Sequence, residues 1–179
     1  CADPVALRKL LGKSGDVLWH YANGIEIVPV QSSEGTKAKG ISNATTVAKD
    51  IVDAESAYKV LLSLVENVST RLRQEDFRAQ VIRVSLRSSD FHDYSRQRKL
   101  AFETNTTRQI YQVACQLFDE VWQGEPLRQI GVSATELCNE DQMQLILPDP
   151  EIEKQEKLDA AIDHIRNKYG SEAIMRSTL

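Results

Sequence analysis

The chain has 179 residues, a formal net charge of -4, and 41% apolar against 27% charged residues. That length fits one core of roughly 100–150 residues plus an appendage; no apolar run approaches the ~20 residues of a bilayer crossing, and no signal-peptide pattern opens the chain. Cys1, Cys115 and Cys138 are spaced for neither a disulfide framework nor a zinc site, and no phosphate loop or nucleophile motif stands out, so a soluble, intracellular mixed α/β protein without catalytic machinery or metal is expected.

Charge is unevenly placed. Residues 37–138 hold fourteen Lys/Arg against thirteen Asp/Glu, whereas residues 139–179 hold five against nine. An acidic tail follows a nearly neutral body. The first residue, Cys1, stands at the edge of a helix-forming passage, which reads as a piece of a longer protein.

Residues 5–23 place Leu7, Leu10, Leu11, Val17, Leu18 and Tyr21 at helical spacings around a break from Gly12 to Gly15, and end before Gly24. This is a helix, a glycine turn and a second helix. Such a turn can offer backbone N–H groups to phosphate, or serve simply as a helical hairpin. Residues 28–38 mix Pro, Ser, Gly and Thr without period and read as a linker between residues 1–27 and the main domain.

The main domain, residues 39–138, reads as strand, helix, strand, strand, helix, strand, the split βαβ, ferredoxin-like order. The first strand covers residues 39–47. Asp53 caps a helix to Gln74, with Ala54, Tyr58, Leu61, Val65, Val68 and Leu72 in one stripe. In the second strand, residues 79–87, Ile82, Val84 and Leu86 alternate with Arg83, Ser85 and Arg87. A turn at Ser88-Ser89-Asp90 leads to a third strand, residues 94–102, carrying Arg96, Arg98 and Lys99. Thr106 and Gln109 form a capping box for a helix that buries Ile110, Val113, Ala114, Leu117 and Val121 and stops near Gly124-Glu125-Pro126; residues 127–137 are the fourth strand. The expected fold is α+β: a four-stranded antiparallel sheet with two helices on one face.

The other face is then open. It is expected to show Arg83 and Arg87 together with Lys39, Asn43, Thr46, Ser95, Arg96 and Arg128, guanidinium and ammonium groups mixed with hydroxyls as in phosphate contacts. The alternative is a solvated face whose arginines meet Asp or Glu across strands. Asp90 and Asp93 read as solvated turn acids. The histidines His20, His92 and His164 are scattered and suit surface or packing roles. Residues 139–147 continue as a partly alternating stretch. A last helix from Asp149 through Tyr169, with Pro150 in its first turn and Gly170 at its end, has a narrow apolar stripe of Leu158, Ile162 and Ile165, enough for weak docking or none.

Several passages resemble one family. LRKLLGKSGDVLWHYANGIE is similar to the end of the thumb domain of Y-family translesion DNA polymerases, with Gly24-Ile25-Glu26 where the family has a Gly-Ile-Asp ending. KGISNATTVAKDI resembles the strand opening that family's little finger domain, RVSLRSSDFHDYSRQRKL its basic hairpin, and RQIGVSATEL its closing strand. KLDAAIDHIRNKYGSEAIMRSTL is similar to the tail of bacterial polymerase IV relatives. The resemblance implies a DNA-binding piece of an error-prone polymerase of damage bypass and repair. Lys39, Asn43, Thr45 and Thr46, then Ser95 and Arg96, then Arg128 would hold phosphates of primer-template DNA, with Arg83, Arg87 and Arg98 adding to the basic surface. Gln129 stands where the family often has a second basic residue, so the grip there would be looser. The catalytic palm, its acidic residues and its Mg2+ would lie N-terminal to this piece, in a bacterial, cytoplasmic, nucleoid-associated parent.

Within residues 139–179, Gln142, Leu145, Ile146 and Leu147 resemble the sliding-clamp-binding peptide of bacterial polymerases. Its Gln fixes orientation and its apolar group fills a pocket. The final aromatic of that peptide is replaced here by Ile146 or Leu147, and the alternation of Met143, Leu145 and Leu147 equally suits an edge strand. Two further readings compete: an RNA-recognition-like domain, whose stacking aromatics are missing from YSRQRKLAF, and a ferredoxin-like regulatory or subunit-interaction module.

Overall fold

The computed structural model describes residues 3–26, 38–139 and 150–176. The chain divides into two compact units, Cys1–Lys37 and Ala38–Leu179. Most of the expected linker, the start of the last helix at Asp149, and the whole stretch containing Gln142, Leu145, Ile146 and Leu147 lie outside the described residues.

In the first unit, α1 (Pro4–Leu11) starts at Asp3, whose side chain accepts from Val5 N, and α2 (Lys13–Ala22) follows at once. The break is narrower than the sequence suggests. Only Gly12, at φ 62°, turns the chain; Gly15 lies inside α2, where an added Cβ would stand 2.3 Å from the Leu7 carbonyl oxygen. Gly12 is needed for its backbone freedom, Gly15 because two helices touch there.

The second unit runs β1 (Gly40–Ile51), α3 (Ala54–Gln74), β2 (Arg78–Ser88), β3 (Asp93–Thr104), α4 (Thr107–Val121), β4 (Leu127–Cys138) and α5 (Pro150–Tyr169). The strands form one antiparallel sheet in the order β1-β4-β2-β3. Each βαβ crossover therefore skips one strand, as a split βαβ unit requires, and β2 and β4 hold the centre. Both strands are lined on one side by fully buried residues: Ile82, Val84 and Leu86 in β2, Ile130, Val132 and Ala134 in β4.

Against that side pack α3 and α4. The expected α3 stripe is real, with Leu61, Val65, Val68 and Leu72 all at 0% exposure, each contributing roughly 1.5–3 kcal/mol by burial. Asp53 caps α3 by accepting from Ser56 N at 2.8 Å. From α4 come Ile110, Ala114, Leu117 and Phe118, the last in contact with the rings of Tyr58 and Trp122.

The start of α4 departs from expectation. Thr106 makes no side-chain cap hydrogen bond; Gln109 instead accepts from the hydroxyls of Thr104 and Thr106. The cap comes from α5: Asp159 Oδ2 accepts from Thr107 N at 2.8 Å. A carboxylate there also meets the positive end of the helix dipole.

α5 docks only in part through its apolar stripe: Leu158 is 46% exposed, whereas Ile162 and Ile165 are half-buried. Charged residues seat it. Arg73 of α3 donates to Asp163 at 2.6 Å and reaches Asp159 at 3.5 Å. Glu66 of α3 accepts from Arg166 at 3.1 Å and from Arg176 at 2.9 Å, and Arg176 also binds Asp159 at 3.2 Å. The side chain of Asp159 is only 4% exposed. Dehydrated charges persist only when each has partners, and here every member has at least two contacts. Arg73 also donates to Asn105 O, tying the network to the loop before α4.

Replacing Asp159 with Ala strips Arg73 and Arg176 of a shared partner and uncaps α4. A fall of about 3 kcal/mol in unfolding free energy is expected, measured by urea denaturation, with faster amide exchange confined first to α5 and the opening turn of α4. Unchanged exchange in both segments would contradict this account of the docking.

Candidate nucleic-acid interface

Directly opposed residues of an antiparallel pair share a face. Because Ile82, Val84 and Leu86 point under the helices, Arg83, Ser85 and Arg87 point the other way. Register carries the assignment across the sheet: Gln129, Gly131 and Ser133 oppose them on β4, Thr46, Ala44 and Ser42 continue it on β1, and Gln97, Ser95 and Asp93 on β3. Among the described residues of this unit no helix covers that face.

Four candidates meet there: Thr46, Arg83, Arg87 and Ser95. Four others do not. Asn43 and Thr45 oppose Val132 and Ile130, and Arg96 and Arg98 oppose Val84 and Ile82, so their side chains leave on the helix side of the edge strands. The expectation that Asn43 and Arg96 share the open face is thus corrected by strand parity. Arg96 and Arg98 both pair with Glu120 of α4. Lys39 precedes β1 and is exposed. Arg128 is the extra residue where the pairing of β2 with β4 steps from Arg87–Gln129 to Ser88–Leu127, a bulge, and it donates to Asp50 at 3.2 Å.

Arg87 and Asp93, opposite each other on β2 and β3, form a two-pronged pair: Nε to Oδ1 at 2.6 Å and Nη2 to Oδ2 at 3.0 Å. Those hydrogen bonds hold the Asp93 carboxyl below its usual range and raise Arg87. Asp93 is therefore not the free turn acid it resembles in sequence. Lys99 pairs with Glu136 at 2.6 Å. Arg83 donates to Ser95 Oγ at 2.9 Å and, among the described residues, meets no carboxylate. The cations are present on or beside this face, and Arg87, Lys99 and Arg128 carry carboxylate partners across strands. Arg83, Ser85, Arg87, Asp93, Ser95 and Gln129 border a shallow depression of about 290 Å³.

The middle of the face is flat. A Cβ added to Gly131 would stand 2.7 Å from Ser85 Oγ and 3.0 Å from the Ala44 Cβ, so small side chains on three strands close over a backbone with no room for a fourth. A polyanion can lie near such a surface without long side chains holding it off.

Sequence reasoning missed the acidic partners Glu120, Glu136 and Asp50, because pairs separated by 22, 37 and 78 positions leave no local pattern. It also missed Phe91, which stands 70% exposed at the tip of the β2–β3 hairpin with φ 63°; a large apolar residue between Asp90 and His92 was the available signal. Burial pushes the Cys115 and Cys138 thiols up, which disfavours the nucleophilic thiolate, and among the described residues no three His, Cys, Asp or Glu stand together as metal ligands would. Nor is any described helix long and apolar enough to cross a membrane.

Residues 38–147 match the model of the impB/mucB/samB family C-terminal domain. A curated DNA polymerase IV of Clostridium acetobutylicum is 40% identical over 174 residues, 97% of this chain and 44% of that protein. DNA polymerase IV 2 of Bacillus subtilis is 37% identical over 175 residues, 96% of this chain and 42% of that protein. The chain thus spans less than half the length of these relatives. Among solved structures, the post-insertion binary complex of Dbh DNA polymerase aligns with a TM-score of 0.52 at 19% identity, over 76% of this chain and 39% of that one, a likeness of fold.

Two substitutions test the face. Gly131→Val should lower stability by about 1–3 kcal/mol through overpacking, whereas Arg83→Ala should change it by no more than about 0.5 kcal/mol, both by urea unfolding. Equal effects would mean that the centre and the margin of the face are not built as described.

Proposed function

The chain belongs to the impB/mucB/samB family through its C-terminal domain, and on that premise we propose that it is the C-terminal part of a bacterial translesion DNA polymerase of the polymerase IV type. In this reading residues 1–27 end the thumb, 28–38 are a linker, 39–138 are the little finger, and 139–179 carry a clamp-binding stretch and the last helix. The unit holds primer-template DNA by its sugar-phosphate backbone. Nucleotidyl transfer, with its Mg2+, takes place on a palm outside this chain, in a cytoplasmic parent that works at the nucleoid.

The observation that carries this is the uncovered face with Arg83 among hydroxyls. Backbone phosphates are held by guanidinium and hydroxyl groups without reading base identity, which suits a polymerase that must accept altered templates. Thr46, Arg83, Arg87 and Ser95 are the proposed contacts on the face itself, and Lys39 and Arg128 those at its ends. Asn43, Thr45, Arg96 and Arg98 contribute from the strand edges. Gln142, Leu145, Ile146 and Leu147 are proposed to bind the sliding clamp. The second reading, a regulatory or subunit-interaction module, draws on the carboxylates already paired with Arg87, Lys99 and Arg128.

Fluorescence anisotropy of the 179-residue chain with primer-template DNA at two salt concentrations separates them. Binding should weaken steeply with salt, and Arg83→Ala should weaken it further and reduce the log–log salt slope by about 0.9; a flat, absent signal favours the regulatory module. Replacing Gln142 and Leu145 with Ala should abolish recovery of the sliding clamp in pull-down, and unchanged recovery would discard the clamp assignment.

A further inference from the structure

Resting on the DNA-holding reading, we propose that Asp93 is a built-in competitor for Arg87: its carboxylate occupies the guanidinium fork that a DNA phosphate would take, so the duplex binds this face only by displacing it. The two oxygens of Asp93 sit on Nε and Nη2 of Arg87, the same paired geometry in which an arginine grips phosphate. A phosphate and Asp93 cannot both hold that edge of the fork.

The pair has no evident structural task. Side-chain exposures of 42% and 64% leave it in solvent, where ion pairs add little to stability, and the sheet is held beneath it by the fully buried Val84 and Leu86 on one side of β2. Arg87 borders the same depression as Arg83, Ser95 and Gln129, within the face already argued to meet DNA. Asp93 therefore sets affinity. It holds one of the two open-face arginines of β2 until it is displaced and makes contact with DNA weak and readily reversed.

The test compares Asp93→Asn with Asp90→Asn in the 179-residue chain, by anisotropy with primer-template DNA across a salt series. Asp90 lies in the turn before β3 and is exposed, so its replacement removes the same charge without releasing Arg87. Asp93→Asn should tighten binding by about twofold to fivefold at ~0.1 M salt and steepen the salt slope by about 0.9, with Asp90→Asn giving a smaller gain and little change of slope. Equal gains in both variants would reduce Asp93 to part of the general field and overturn the proposal. Binding by the unaltered chain that Asp93→Asn leaves unchanged overturns this proposal alone; no binding by any of the three proteins overturns it together with the reading on which it rests.

Discussion

Side chains along a strand alternate between two faces, and in this sheet that alternation decides what each residue can do. Under α3 and α4 the pleat of β2 and β4 is filled by Ile82, Val84, Leu86, Ile130, Val132 and Ala134, all buried. Once those positions are committed, a slip of one residue in β2 would bury arginine and expose leucine. The register is therefore fixed by the core, and the opposite face inherits its composition: arginine, serine, threonine and glutamine around a glycine at position 131.

Alternation and helical stripes are local, and the sequence showed them well. The α3 stripe, the β2 alternation and the Asp53 cap all stand where the residues placed them. What local pattern does not carry is which strand neighbours which. With β1 paired to β4, Asn43 opposes Val132 and Thr45 opposes Ile130, and residues that look polar enough for an open face lie on the helix side. Arg96 was misplaced for the same reason: its face follows from its opposition to Val84, not from its own neighbours in sequence.

The other blind spot is charge at a distance. α5 has only a narrow apolar stripe to announce a docking surface, and its seat is built from Glu66 and Arg73 of α3 with Asp159, Asp163, Arg166 and Arg176, the last four from what composition reads as a solvated acidic tail. Mutual neutralisation lets them be buried. A network of this kind confers less stability than an apolar seat of the same size would, but it has one geometry, because each guanidinium fork must meet its carboxylates in register. The tail's negative balance is thus partly an interior matter: Asp159 and Asp163 are spent against α3.

The cap of α4 has a consequence for how the molecule is made. Thr107 N finds its acceptor in Asp159, 52 positions later, so the opening turn of α4 cannot be finished while the polypeptide is still short of that residue. During synthesis, which proceeds at about 5–20 residues per second, the sheet and both of its helices are made about 1–4 seconds before their last fastening. The nascent domain must wait with that end of α4 open to solvent, and a truncated message ending before α5 would yield a sheet that never acquires it.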